Sequence, residues 1–174
     1  MAKSIQLNNY KLDGNERFFV DANVWLYLFG PLNTGKDYGY STFLSNVLAC
    51  SATLYINDLV ISEFVNRTCR IAFENYKSEN NLGRDYQFKK DYRSTKDFRM
   101  IYKLSVDTVK DEILPLSQYI TSNETILNDS ITNITALDFN DEIIIQSALS
   151  NGLTIVTHDR DFISHPAKIT IFHY

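Results

Sequence analysis

The sequence predicts an α/β fold, a three-layer α/β/α sandwich around a central, mostly parallel sheet. Three observations predict it. Short apolar runs rich in β-branched and aromatic residues, RFFVD (17–21), LYIN (54–57), LTIVT (153–157) and ITIF (169–172), read as strands buried on both faces. Segments with helical spacing lie between them, the alternation expected of a parallel sheet covered by helices. The chain has 174 residues, 44% hydrophobic and 22% charged. That length suits one domain over 1–174, burying roughly two thirds of its unfolded surface without a disulfide or zinc staple.

The elements come in order along the chain. RFFVD is the first strand, and STFLSNVLAC (41–50) reads as a short helix. LYIN is the second strand, with Asp58 placed to cap the next helix. From Leu59 to about Tyr76, Val60, Ile61, Phe64, Val65, Cys69, Ala72, Phe73 and Tyr76 form a helical stripe. Residues 77–114 are polar, charged and helical in at least two pieces, with Gly83 as the break and Pro115 as the stop. The Thr-, Ser- and Asn-rich segment 120–137 supports only a short helix. Asp141 to Ser150 is a helix with Ile144, Ile145, Ala148 and Leu149 toward the core, ended by Asn151-Gly152. LTIVT and ITIF complete the sheet.

Composition excludes several classes. Six Gly and three Pro exclude collagen-like and proline-rich chains, and the apolar content excludes disorder. No apolar stretch approaches the ~20 residues of a membrane span. MAKSIQLNNYKLDG at the start is polar rather than signal-like, so a cytoplasmic protein is expected. Cys50 and Cys69, each among apolar neighbours, are expected as a reduced, buried pair. The sequons at Asn66, Asn123, Asn128 and Asn133 carry no meaning without secretion. His158, His165 and His173 are scattered and lack a Cys pair, which argues against zinc.

The chemistry is expected in carboxylates, because open α/β sheets place functional groups beyond the carboxyl ends of their strands. Asp21 ends the first strand, and Asp159 and Asp161 come just after LTIVTH. Asp141 lies in the first turn of the preceding helix, and Glu63 in the first turns of the helix after LYIN. These five acids can converge on one rim, where their repulsion calls for a cation. An all-oxygen set suits Mg2+ or Mn2+. Each acid also has a plainer role. Asp21 can cap a turn, and Glu63 can pair with Arg67 one turn on. Asp138 and Asp141 suit an N-cap and a first-turn acid, and Asp159 and Asp161 suit a turn. Their shared placement on one rim is what those roles leave unexplained.

FFVDANVW (18–25), VISEFVNR (60–67), DFNDEIIIQSALSNG (138–152) and LTIVTHDRDF (153–162) resemble, in order, the four signature segments of PIN-domain nucleases. The resemblance spans roughly residues 17–172 and implies a metal-dependent ribonuclease on a Rossmann-like fold. It matches Asp21 to the first acid, Glu63 to the helical acid, Asp141 to the third and Asp159 to the fourth, with Asp161 as an adjunct. Asn23 matches a small polar position that can hold a ligand or water. The resemblance implies Mg2+ or Mn2+ on Asp21, Asp141 and Asp159, with Glu63 and Asp161 direct or through water. It further implies RNA as substrate. The size is similar to VapC-type toxins, which brings a cognate antitoxin and a homodimer as expected partners. The alternatives are a PIN-fold binding scaffold without catalysis and a Mg2+-dependent phosphatase-like α/β enzyme. DANVW lacks the second Asp of the phosphatase motif.

The excess length near 77–114 matches no motif. Residues 75–103 hold eight cations and four acids, net +4 in a chain of −4. Tyr76, Tyr86, Phe88, Tyr92, Phe98 and Tyr102 interleave with them. Stacked bases and phosphate contacts from Lys89, Lys90 and Arg93 would suit single-stranded RNA. An amphipathic helix with its rings packed inward, or a partner interface, fits the same pattern.

Overall fold

The structure, a computed structural model, describes residues 1–31, 37–133 and 135–174. Among these, six strands form one sheet: β1 (Lys3–Gln6), β2 (Arg17–Val20), β3 (Thr53–Ile56), β4 (Ser117–Tyr119), β5 (Thr154–Val156) and β6 (Thr170–His173). Their order is β1-β6-β5-β2-β3-β4, and every pairing is parallel. The helices are α1 (Ala22–Leu28), α2 (Tyr40–Cys50), α3 (Asp58–Glu79), α4 (Lys96–Thr108), the single turn α5 (Leu114–Leu116), α6 (Glu124–Thr132) and α7 (Phe139–Ser150). The arrangement is the predicted three-layer α/β/α sandwich.

The central strands are apolar because both faces are covered. Phe18, Phe19, Val20, Ile155 and Val156 are buried, and with Trp25, Leu26, Ile144 and Ile145 they form the main core. Trp25 Nε1 donates to the Val20 carbonyl at 3.2 Å, which ties α1 back onto the strand that precedes it. From β2 the chain runs toward β3 and β4, whereas β5 leads to β6 on the other side. The switch in direction therefore falls between β2 and β5, where a crevice opens at the strands' carboxyl ends. Register places Val20 opposite Val156, so Asp21 and Thr157 emerge side by side.

Several expectations are corrected in detail. The cap of α3 is Asn57, whose side chain accepts from the Val60 amide at 3.0 Å, and Asp58 is the first helical residue. The break after α3 comes at Asn80 and Asn81, the latter at φ 52°, rather than at Gly83. The helix through α4 passes a π turn (Val109–Ile113) and runs one residue beyond Pro115. Lacking an amide, the proline ring crowds the carbonyl four residues back, and the widened turn relieves it. The short helix within 120–137 is α6, and residue 134 of that segment lies outside the described residues. Both cysteines are free thiols, but only Cys69 is buried; Cys50 is half-buried.

The basic segment is not an open stacking platform. Phe73, Phe88, Tyr92 and Cys69 form a second, separate core, with Tyr76, Tyr86, Phe98 and Ile101 packed on it. Ring contacts run through it, Phe73 with Phe88 at 5.4 Å and Tyr76 with Tyr92 at 5.2 Å among them. These aromatics join α3 to α4, as the inward-packing reading expects, and Tyr102 alone of the six named rings is exposed.

Candidate active site

The site is built where β2 and β5 end. Asp21 is the N-cap of α1 and only 4% exposed. Its Oδ1 accepts from the Ala22 amide at 2.6 Å, and its Oδ2 accepts from the Thr157 hydroxyl at 2.6 Å. Thr157 Oγ1 in turn accepts from the Asp159 amide at 3.0 Å and from Asn23 Nδ2 at 3.3 Å. One buried hydroxyl thus uses its single proton and both lone pairs to hold Asp21, Asn23 and Asp159 together. Asn23 Oδ1 accepts from the His158 amide at 2.9 Å, so both polar atoms of Asn23 fasten the β5 loop.

Asp141 lies in the first turn of α7, capped by Asp138, whose carboxylate accepts from the Asn140 and Asp141 amides. Glu63 projects from α3 and pairs with Arg67 at 3.2 Å, the i,i+4 contact its spacing anticipates. Glu63, Arg67, Asp138, Asn140, Asp141 and Asp159 line an open cleft of about 410 Å3. Asp161 heads a 3-10 turn, exposed, and its amide donates to Asp159 Oδ1 at 2.9 Å; it does not line the cleft.

The electrostatics show that these acids share one environment. Burial, aided by the charges of Glu63 and Asp159, pushes the Asp21 carboxyl up to about 6, against the pull of its hydrogen bonds from Thr157 and Ala22. Desolvation pushes Asp141 up to about 7, and Asp138, Asp21, Asp159 and Glu63 add like-charge repulsion. Asp21 and Asp141, raised by burial and further by neighbouring acidic charge, favour a bound cation, and the donor set is entirely oxygen. Among the described residues, however, no three His, Cys, Asp or Glu side chains stand close enough to form a ready-made metal cage. The residues therefore fit a hard divalent ion by charge and donor type, with side-chain movement needed to close on it. Asp21 retains lone pairs for such a role despite its two hydrogen bonds.

Sequence reasoning placed Asp21, Glu63, Asp141 and Asp159 together, and the structure gathers them. It missed Thr157, read only as a strand residue. The available signal was a lone hydroxyl closing an apolar strand directly opposite Asp21. Lys89, Lys90 and Arg93 lie apart from the acids, exposed beside the second core, with the Arg93 guanidinium 5.2 Å from the centre of the Phe88 ring.

An acid rim at the switch point of a parallel sheet is the arrangement of a PIN-type nuclease fold. The chain matches the PIN domain over residues 18–168 and belongs to that family, whose members are nucleases. No curated protein matches it. Among solved structures it is similar in fold to VapBC2 from Rickettsia felis bound to a DNA fragment from their promoter. There the TM-score is 0.55 and the identity 17%, covering 90% of this chain and 98% of that one. It is also similar to FitAB bound to an IR36 DNA fragment, at TM-score 0.50 and 13% identity, covering 89% and 94%.

Proposed function

We propose that this chain is a single PIN nuclease domain that hydrolyses RNA phosphodiester bonds as a divalent-metal-dependent endoribonuclease. The observation that carries this reading is the convergence of Glu63, Asp141 and Asp159 on one cleft, beside a buried Asp21 raised by burial and by the charges of Glu63 and Asp159. Asp21, Asp141 and Asp159 would hold Mg2+ or Mn2+, with Glu63 and Asp161 assisting directly or through water. When bound, such an ion supplies Lewis acidity for activating water and neutralising phosphate charge. The chain's own residues do the positioning. Thr157 fixes Asp21 and the Asp159 loop relative to each other, Asn23 clamps the His158 amide, and Arg67 offers a guanidinium on the cleft wall for a phosphate. Lys89, Lys90 and Arg93 extend the cationic surface to more distant phosphates.

The fold likeness to VapBC2 and FitAB supports a role as the toxin of a toxin–antitoxin pair, working in the cytoplasm with an antitoxin protein and a second copy of itself as partners. Among the described residues no helix is long and apolar enough to cross a membrane.

The test is incubation of the purified protein with total RNA, with Mn2+ and with EDTA. Cleavage is expected only with metal, and Asp21→Asn, Asp141→Asn and Asp159→Asn should each abolish it while the protein stays folded. Near-wild-type turnover in two of the three would overturn the site assignment. Removing Glu63 or Asp161 should do equal or lesser damage.

A further inference from the structure

A second group of rings stands beside the acid rim, with Tyr40 in the main core and Tyr27 and Tyr38 packed against it. His158 immediately precedes Asp159. Its ring lies 4.6 Å from that of Tyr38 and 4.8 Å from that of Tyr27, centre to centre. Its Nδ1 is 3.0 Å from the Tyr40 hydroxyl. Tyr38 also meets Tyr174 edge to face at 5.1 Å. Tyr40 is buried, but Tyr27, Tyr38 and His158 are half-buried and Tyr174 is exposed, so the group keeps ring surface toward solvent. Tyr38 is held at φ 51°, a left-handed conformation that a bulky residue adopts at a cost and that marks functional positions.

Beyond Tyr38 opens a cavity of about 320 Å3. Tyr38, Tyr10, Phe172 and Tyr174 give it aromatic walls, and Asn8 and Asn46 bring carboxamides to it. Aromatic faces with carboxamides that both donate and accept are the chemistry that recognises an unpaired base: rings stack on its face, and amides pair with its edge. The cavity is linked to the acid cleft through one ring, because Tyr38 touches His158 and Asp159 lines that cleft. The aromatic segment expected from sequence to stack bases turns most of its rings inward to join α3 to α4, leaving Tyr102 alone of the six exposed.

We propose that this cavity seats one unpaired nucleobase of a single-stranded RNA substrate, flanking the phosphate held at the acid rim, with Tyr38 as the stacking ring and Asn8 and Asn46 as edge contacts. The proposal rests on the ribonuclease reading above. It makes the cavity a determinant of where the strand is cut.

The experiment is a fluorescence-anisotropy titration of the full chain in EDTA, where metal-dependent cleavage is silent. The probe is a labelled single-stranded oligoribonucleotide, alongside versions carrying one abasic nucleotide at each position in turn. Wild type should lose roughly tenfold in affinity at one position, the scale of a lost stacking contact. Tyr38→Ala should bind the intact strand that much more weakly and show no further loss at that abasic position. Tyr38→Phe should retain the wild-type pattern, and unchanged melting temperatures establish that the variants are folded. No binding by wild type, an equal affinity for every abasic strand, or a full abasic penalty surviving in Tyr38→Ala would each overturn the proposal. A parallel DNA strand bound with the same abasic pattern would overturn the assignment to RNA. The predicted pattern without cleavage after Mn2+ addition would support the base cavity and overturn the ribonuclease reading, so the two failures are separable.

Discussion

Thr157 and Asp21, 136 residues apart in the chain, meet in a buried 2.6 Å hydrogen bond that fixes where the first acid of the site points. Neither residue alone explains the arrangement. Asp21 is buried against its own charge preference, and the hydroxyl, with the Ala22 amide, is what moderates that cost. Because Thr157 also receives the Asp159 amide, the contact sets the spacing between two acids that follow the ends of adjacent strands.

Thr157→Val keeps the shape of the side chain and removes the hydroxyl. Asp21 then loses a donor, and the Asn23 and Asp159 donors lose an acceptor. A stability loss of about 1–3 kcal/mol is expected from groups left unsatisfied, read as a lower melting temperature. RNA cleavage should fall by more than this stability loss accounts for, at temperatures where the variant is folded. Thr157→Ser, which retains the hydroxyl, should restore most of both. Full activity in the Val variant would show that Asp21 needs no orienting partner.

Lys89, Lys90 and Arg93 are exposed, and their cations carry no contact with the acid cleft. If they hold phosphates, replacing all three with Ala should weaken RNA binding and flatten the dependence of log affinity on log salt by up to about 2 units of slope. An unchanged slope assigns them to solvent, and a change in oligomer size instead assigns the segment to an interface.

The parts of the fold that were legible in the sequence are those where one physical demand dominates. FFV (18–20) and Ile155-Val156 are buried and so lack any polar alternation; DFND at the start of α7 has the cap its spacing announces, with Asp138 accepting two amides. The edge strands were not legible. KSIQ and SQY pair on one side only and are largely exposed, so they carry neither an apolar run nor a clean period of two. The acids were legible as a rim because strand ends sort side chains without knowledge of packing. The role of Thr157 and the choice among the readings of the 77–114 aromatics depend on tertiary contacts, which the local pattern leaves open.

The second core makes its own prediction. Phe88 packs on Phe73 and Tyr92 and carries the Arg70 guanidinium 4.0 Å from its ring centre. Phe88→Ala should destabilise the protein by about 3–5 kcal/mol if the molecule unfolds as one unit. Faster amide hydrogen exchange confined to α3 and α4, with an unchanged global melting temperature, would instead show that this region opens independently.

The acid rim predicts an inverted pH dependence for the metal-free protein. In the unfolded chain these carboxyls titrate near 3.8, whereas in the folded protein Asp21 is raised to about 6 and Asp141 to about 7. Between these values the folded state binds more protons than the unfolded one. Stability is therefore fully present below the unfolded value and lost as pH rises through 6 to 7. For buried Asp21 the rise corresponds to on the order of 3 kcal/mol. In EDTA the melting temperature should fall between about pH 4 and 7, and Asp141→Asn should melt higher than wild type near neutrality because one repelling charge is gone. Mn2+ should reverse the order, stabilising wild type by about 2.7 kcal/mol at a hundredfold excess over its dissociation constant and the variant by much less. Four melts, both proteins with EDTA and with Mn2+, decide the matter. A variant that melts lower than wild type in EDTA would make Asp141 a stabilising first-turn acid of α7, complementing the helix dipole beside the Asp138 cap, and would remove it from the metal-binding set.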